Sequence, residues 1–228
     1  MTGVQTCALP ISHALKREAA LILQGAPDIV VQKMVAGRHD LVPVGYVEKI
    51  AAIRGVRSVR PRLWGYYYDA ATGANYTLMA SDDPLPGPGA ADIGSGVART
   101  LHLTEGDFLP IRATDGTPTL FQVRKVLPYA SELASSDLIL LSEGDLRALF
   151  DFPRGFATDL AVTVGNPAER PTIAAKIAGQ FPDSRPILNS EILRTYDSIF
   201  DWRGGMMVVM LGVAVLAFVI FEIGRAHV

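Results

Sequence analysis

An α+β fold, two βαβ-type units with a small all-β insert and a transmembrane helix behind them, is predicted by three observations. A strand, helix, strand order occurs twice, at 28–69 and at 159–188. Between them a Pro- and Gly-rich stretch at 81–96 opens a segment of short strands separated by turn signals. Near the end, the 18 residues from Gly204 to Phe221 carry no charged or strongly polar side chain.

In the first unit Asp28 to Lys33 is a compact β-branched run and reads as a strand. Pro43 to Arg54 places Val44, Val47, Ile50, Ala51 and Ile53 at helical spacing, with Gly55 as the stop. Val56 to Asp69 is strand-like, and Gly73 turns the chain into Asn75 to Met79, a hairpin expected with the first unit. In the insert, Phe108 to Ala113 and Thr119 to Val126 are the clearest strands, between the turns Glu105-Gly106-Asp107 and Asp115-Gly116. Asp137 to Leu141 is a further strand, and Ser142 caps a short helix to Phe150. The second unit runs Asp159 to Val164 as strand, Ala168 to Gln180 as helix and Arg185 to Leu188 as strand, a structural echo of the first.

An apolar run bare on every face reads as a membrane span at 204–221, the alternative being a buried core helix. Tyr196, Phe200, Trp202 and Arg203 just ahead suit the headgroup layer. A helix expected from Asn189 or Ser190 runs into this span. His13 to Gln24 reads as a short helix, with a first membrane span upstream as one reading of it.

Both ends have a separate explanation. Ile223 to Val228 is encodable as ATC GGA AGA GCA CAC GTC, whose reverse complement, read one base out of register, encodes Thr6 to Ile11. One duplex resembling a sequencing adapter accounts for both. Residues 1–11 and 222–228 are therefore expected to be adapter-derived. The expected division is 12–24 as helix, 25–80 and 157–189 as the α/β core, 81–156 as the mostly β insert, and 190–221 as the helix entering the span. The one cysteine, Cys7, and His227 fall in the adapter-derived ends.

A net charge of -2 in 228 residues leaves no basic excess for a phosphate backbone, so no nucleic acid partner is expected. His13, His39 and His102 show no ligand spacing. Gly94-Ser95-Gly96 lacks the third glycine of a dinucleotide fingerprint and reads as a turn between strands. Asp82-Asp83, Glu143, Asp145 and Asp151 read as solvated loop or helix-start charges without calcium-loop spacing. Ser95, His102 and Asp107 assemble a triad only on paper, without a Gly-x-Ser-x-Gly elbow. Trp64-Gly65-Tyr66-Tyr67-Tyr68 offers either an exposed contact strip or alternate rings packed into the sheet, the reading that alternation favours. Arg60-Pro61-Arg62 then reads as a solvated strand entry. No catalytic, cofactor-binding or metal-ligating residue is expected, and no cofactor.

Gly25-Ala26-Pro27-Asp28-Ile29-Val30-Val31, Ile53-Arg54-Gly55-Val56 and Pro61-Arg62, in that order, resemble the extracytoplasmic core domain of FtsX-like ABC transporter permeases, the group of MacB and LolC. Glu105-Gly106-Asp107, Asp159 to Val164 and the Tyr196 to Gly204 approach to an apolar helix match in turn, while Pro27 interrupts the usual Gly-Ala-Asp-Ile. The resemblance implies a non-catalytic permease subunit of four membrane helices in the cell (inner) membrane, its large domain periplasmic between the first two. It implies as partners a separate ABC ATPase, a second permease copy or relative, the lipid bilayer and a periplasmic protein. ATP-driven motion would be coupled to export, extraction or partner activation. The alternative is a membrane-anchored extracytoplasmic sensor or ligand-binding domain.

Overall fold

The computed structural model describes residues 26–82, 87–127 and 136–191, together with Met210, Val213 and Ala214. In chain order the strands and helices are β1 (Ile29–Val35), β2 (Arg38–Asp40), β3 (Val42–Pro43), α1 (Tyr46–Ala51), β4 (Val56–Arg62), β5 (Trp64–Asp69), β6 (Ala74–Ala80) and β7 (Ala90–Ile93). There follow α2 (Ser95–Leu101), β8 (Phe108–Arg112), β9 (Pro118–Val126), β10 (Leu138–Leu141), α3 (Glu143–Phe150), β11 (Phe156–Ala157), β12 (Asp159–Val164), α4 (Arg170–Gln180) and β13 (Ser184–Leu188).

The first sheet has the order β13-β1-β12-β4, with β2 folded back on β1. Every pairing in it is antiparallel. The pair β1 and β4 is therefore parallel with β12 lying between, and the pair β12 and β13 is parallel with β1 between. Each strand, helix, strand unit is thus split by a strand of the other, which is the interleaved βαββαβ arrangement of ferredoxin-like folds. The helices bury Ile50 from α1 and Ile173 and Ile177 from α4 against Ile29, Val31, Leu160 and Val162 of the sheet. Alternation along β1 supplies that face, because successive side chains of a strand point to opposite sides.

The second sheet is inserted between β4 and β12 and has the order β5-β6-β10-β7-β9-β8, mixed in direction. It curls on itself. The Arg112 backbone N–H on one edge strand donates to the Tyr67 hydroxyl on the other, at 3.3 Å. Its core is Leu78, Ile93, Phe121, Val123, Ile139 and Leu141, covered by Leu146 and Leu149 of α3. Ser142 Oγ accepts from the Asp145 backbone N–H at 3.1 Å, the expected helix cap.

Several expectations change. The run from Val56 to Asp69 divides at Leu63: β4 lies in the first sheet, and β5 with β6, the hairpin expected with the first unit, pairs in the second. The helix expected at 43–54 is shortened to α1, since Val42 and Pro43 pair with β11 instead. Residues 90–93 form a strand where the composition suggested loop, held by β9 on one side and β10 on the other. Ser95 starts a helix rather than a turn, and Gly96 is needed there because a Cβ would lie 2.7 Å from the Ser136 carbonyl oxygen.

Residues 189–191 are helical. Among the described residues no helix is long and apolar enough to cross a membrane. The run 204–221 lies outside the described residues except Met210, Val213 and Ala214, which are helical and exposed. The helix expected at 12–24, and both adapter-derived ends, also lie outside them.

Candidate functional site: the junction of the two sheets

The first sheet has two distinct ends. At one, Ile29 pairs with Leu188, and the Asn189 N–H donates to the Asp28 carbonyl at 3.1 Å. The chain therefore enters and leaves this fold through neighbouring strands. Asp28 also accepts from the Val164 N–H at 2.7 Å and pairs with Arg170, which fastens the entry point to β12 and α4. At the other end Arg62 pairs with Asp159, and there the insert departs and returns.

At that second end Asp159 is only 1% exposed. Its carboxylate accepts from Arg62 Nε and Nη2 at 2.7 and 2.8 Å and from the Trp64 indole N–H at 2.8 Å. A buried carboxylate is tolerated when its lone pairs are filled by such charged and polar donors. Thr158 adds a reciprocal pair, accepting from the Trp64 backbone N–H at 3.1 Å and donating to its carbonyl at 2.9 Å. The ring of His39, on the β1–β2 hairpin, stacks on Trp64 with centroids 5.9 Å apart, and Tyr66 meets the indole edge-on at 5.3 Å.

Arg60-Pro61-Arg62 is therefore not simply a solvated entry. Arg60 is exposed and pairs with Asp82 at 3.0 Å, whereas Arg62 reaches a buried partner. The sequence signal was present in Asp159 at the head of an apolar strand, but nothing local names its partner. Of the aromatic strip, Tyr66 and Tyr68 are 69% and 60% exposed while Tyr67 packs against the insert core, the alternation expected.

The paper triad does not assemble. Ser95 and His102 lie at opposite ends of α2, seven residues or about 10 Å of helix rise apart. Asp107 accepts from the Thr104 N–H and hydroxyl at 2.7 and 2.8 Å. The acidic residues have local roles: Glu143 pairs with Arg147, Asp145 accepts from Ser142 and the Gly89 N–H, and Asp151 follows α3 in a left-handed conformation. Asp83 and His13 lie outside the described residues. Among the described residues no three His, Cys, Asp or Glu side chains gather to hold a metal ion. A cleft of about 140 Å³ at the junction is lined by Arg62, Met79, Asp82, Glu143, Arg147 and Ala157. An apolar cavity of about 240 Å³ lies in the insert beneath Tyr67, walled by Leu101, Leu103, Leu109 and Ile139.

No family model and no curated protein matches the chain. Among solved structures it is similar to the periplasmic region of MacB from Actinobacillus actinomycetemcomitans, with 8% identity, a TM-score of 0.48, and coverage of 77% of this chain and 95% of that one. It is also similar to the extracellular domain of the noncanonic ABC-type transporter YknZ from Gram-positive bacteria, with 12% identity, a TM-score of 0.46, and coverage of 70% and 98%.

Proposed function

We propose that this chain is the extracytoplasmic domain and adjoining membrane helix of an FtsX-like ABC transporter permease, and that it relays motion rather than performing catalysis. The observation that carries the reading is the attachment of the first sheet: its entry and exit strands meet at the Asp28–Asn189 end, the insert at the Arg62–Asp159 end. A domain placed between two membrane helices needs its ends side by side. A domain that passes displacement outward needs its working part on the far side of a stiff element, and a five-stranded sheet with every neighbour hydrogen-bonded is such an element.

In this reading residues 190–221 continue from β13 into the bilayer as a helix, internally hydrogen-bonded and so able to transmit a shift along its axis. A separate ATPase on the cytoplasmic side supplies the motion, and a second permease copy or relative supplies the surface against which the domain moves. The insert meets the substrate or partner outside the cytoplasm.

The test uses the full-length permease reconstituted with its ATPase. With a spin label at Lys125 of each copy, vanadate trapping after ATP addition is expected to shift the inter-copy distance distribution. An identical distribution in the nucleotide-free and trapped states would exclude the relay.

A further inference from the structure

We infer that Trp64 is the fastening residue of the domain: it locks the insert to the first sheet so that the two sheets move as one body. The lock is a property of the domain alone, and its use as a lever arm rests on the permease reading above.

The chain crosses from one sheet to the other at Leu63, a single residue between β4 and β5. The insert is attached twice, at Leu63 and at the return through β11 and Thr158, and at the one-residue crossover φ and ψ are the soft freedom that other contacts must restrain. Trp64 is the next residue, and every polar group it has is held by Thr158 and Asp159 at the head of β12. Its N–H and C=O are both bonded to the Thr158 hydroxyl, and its indole N–H to Asp159. Asp159 is in turn gripped by Arg62, on the near side of the crossover. The indole ring is covered by His39 from the β1–β2 hairpin. Strands β2, β4 and β12 thus converge on one side chain of the insert.

The pairing pattern shows why this device is needed. The Ala80 N–H donates to the Leu63 carbonyl, so odd-numbered residues of β5 bond to β6 and even-numbered ones face the free edge of the sheet. Trp64 is even-numbered. Its main-chain groups would be unpaired at a sheet edge, and Thr158 occupies them. Other braces act away from β5: Val42 and Pro43 pair with Ala157 and Phe156 on the return segment, and the Thr158 N–H donates to the Arg62 carbonyl at 2.8 Å. Arg60–Asp82 is exposed, where an ion pair contributes little, and Arg147 bonds the carbonyls of Pro153 and Phe156 on the return segment rather than β5.

Spin labels at Lys125 in the insert and Lys176 on α4 report the distance between the sheets, in the full 228-residue chain with Cys7→Ser, in nanodiscs. The unmodified junction is expected to give one narrow distance distribution. Trp64→Phe, which keeps a ring but removes the N–H from Asp159, is expected to widen it at least twofold, while Arg60→Ala leaves it unchanged. Thr158→Val is the second variant should Trp64→Phe not fold, and is expected to widen it as well. A distribution as narrow as the parent's in the folded Thr158→Val and Trp64→Phe proteins would overturn the inference, as would a broad distribution in the parent. Either result leaves the inter-copy experiment on the full permease to judge the relay separately.

Discussion

The two sheets solve the same problem, burying one apolar face, by different means. The first is covered by helices: α1 and α4 supply Ile50, Ile173 and Ile177 to its apolar face. The second covers much of its own face by curling, its edges meeting at Tyr67 and Arg112, with α3 closing the remainder. Each also holds one buried aspartate paired to an arginine of the adjacent strand, Asp159 with Arg62 and Asp92 with Arg124. The difference lies in the surroundings. Asp159 takes a third donor from across the sheet junction, so the same motif that stiffens one sheet locally in the insert becomes a link between sheets in the core.

The largest expected effects come from the two cores. Phe121→Ala in the insert should destabilise by about 3–5 kcal/mol and Ile177→Ala, on α4 against the first sheet, by about 2–5 kcal/mol, since both side chains are fully buried. Urea unfolding measures the loss, and hydrogen exchange shows how far it spreads. With Trp64 fastening the sheets, each variant should raise exchange in both. Exchange confined to the mutated sheet would mean that the two unfold independently.

Next come the aspartates. Asp159→Ala leaves the Arg62 guanidinium and the Trp64 N–H without their buried acceptor and should cost about 3–5 kcal/mol. Asp92→Ala should cost less, about 1–3 kcal/mol, because Arg124 is 38% exposed in its side chain and can turn to water. Equal losses by urea titration would remove the distinction between a junction and a local pair.

Glycines give a smaller contrast. A Cβ on Gly65 of β5 would stand 2.8 Å from the Phe150 ring, so Gly65→Ala should cost about 1–3 kcal/mol by overpacking. Gly45, ahead of α1, has ordinary helical dihedrals and open space around it, so Gly45→Ala should change stability by less than about 1 kcal/mol. Thermal midpoints of the two variants check this.

The smallest effect is on pH dependence. Acid touches both regions: Asp40 is held below the usual carboxylate range by the Leu41 N–H and then Lys33, and Asp107 and Asp115 by Thr104 and Thr117. Depressed carboxylates contribute stability that is present above their unfolded values, about 4, and lost as pH falls through the folded ones. Alkali separates the regions. Burial, and then the hydrogen bond to Asp183, raise the Tyr46 phenol, so its contribution is present below about pH 10 and lost as pH rises through the raised value. Tyr46→Phe should flatten that alkaline limb in a stability titration without changing the acid one.

What could be read along the chain follows from locality. The strands read at 28–33, 108–113 and 159–164, which stand at 29–35, 108–112 and 159–164, the Ser142-capped helix and the two strand, helix, strand units are encoded by spacings within ten or so residues, which constrain φ, ψ and side-chain direction directly. Tyr66 and Tyr68 point outward and Tyr67 inward for the same reason. Residues 90–93 were hidden because Ala-Ala-Asp-Ile has weak strand character of its own and is a strand only through β9 and β10 on either side.

The sequence by itself determined the α+β composition, the alternation of units around an insert, and the apolar run at 204–221. Only the tertiary structure decided that the long strand breaks at Leu63, that the two units interleave, and that Arg62 and Trp64 meet Asp159. Those partners stand 97 and 95 positions apart, and a hydrogen bond across such a distance is chosen by how sheets pack, not by any local preference of the residues that make it.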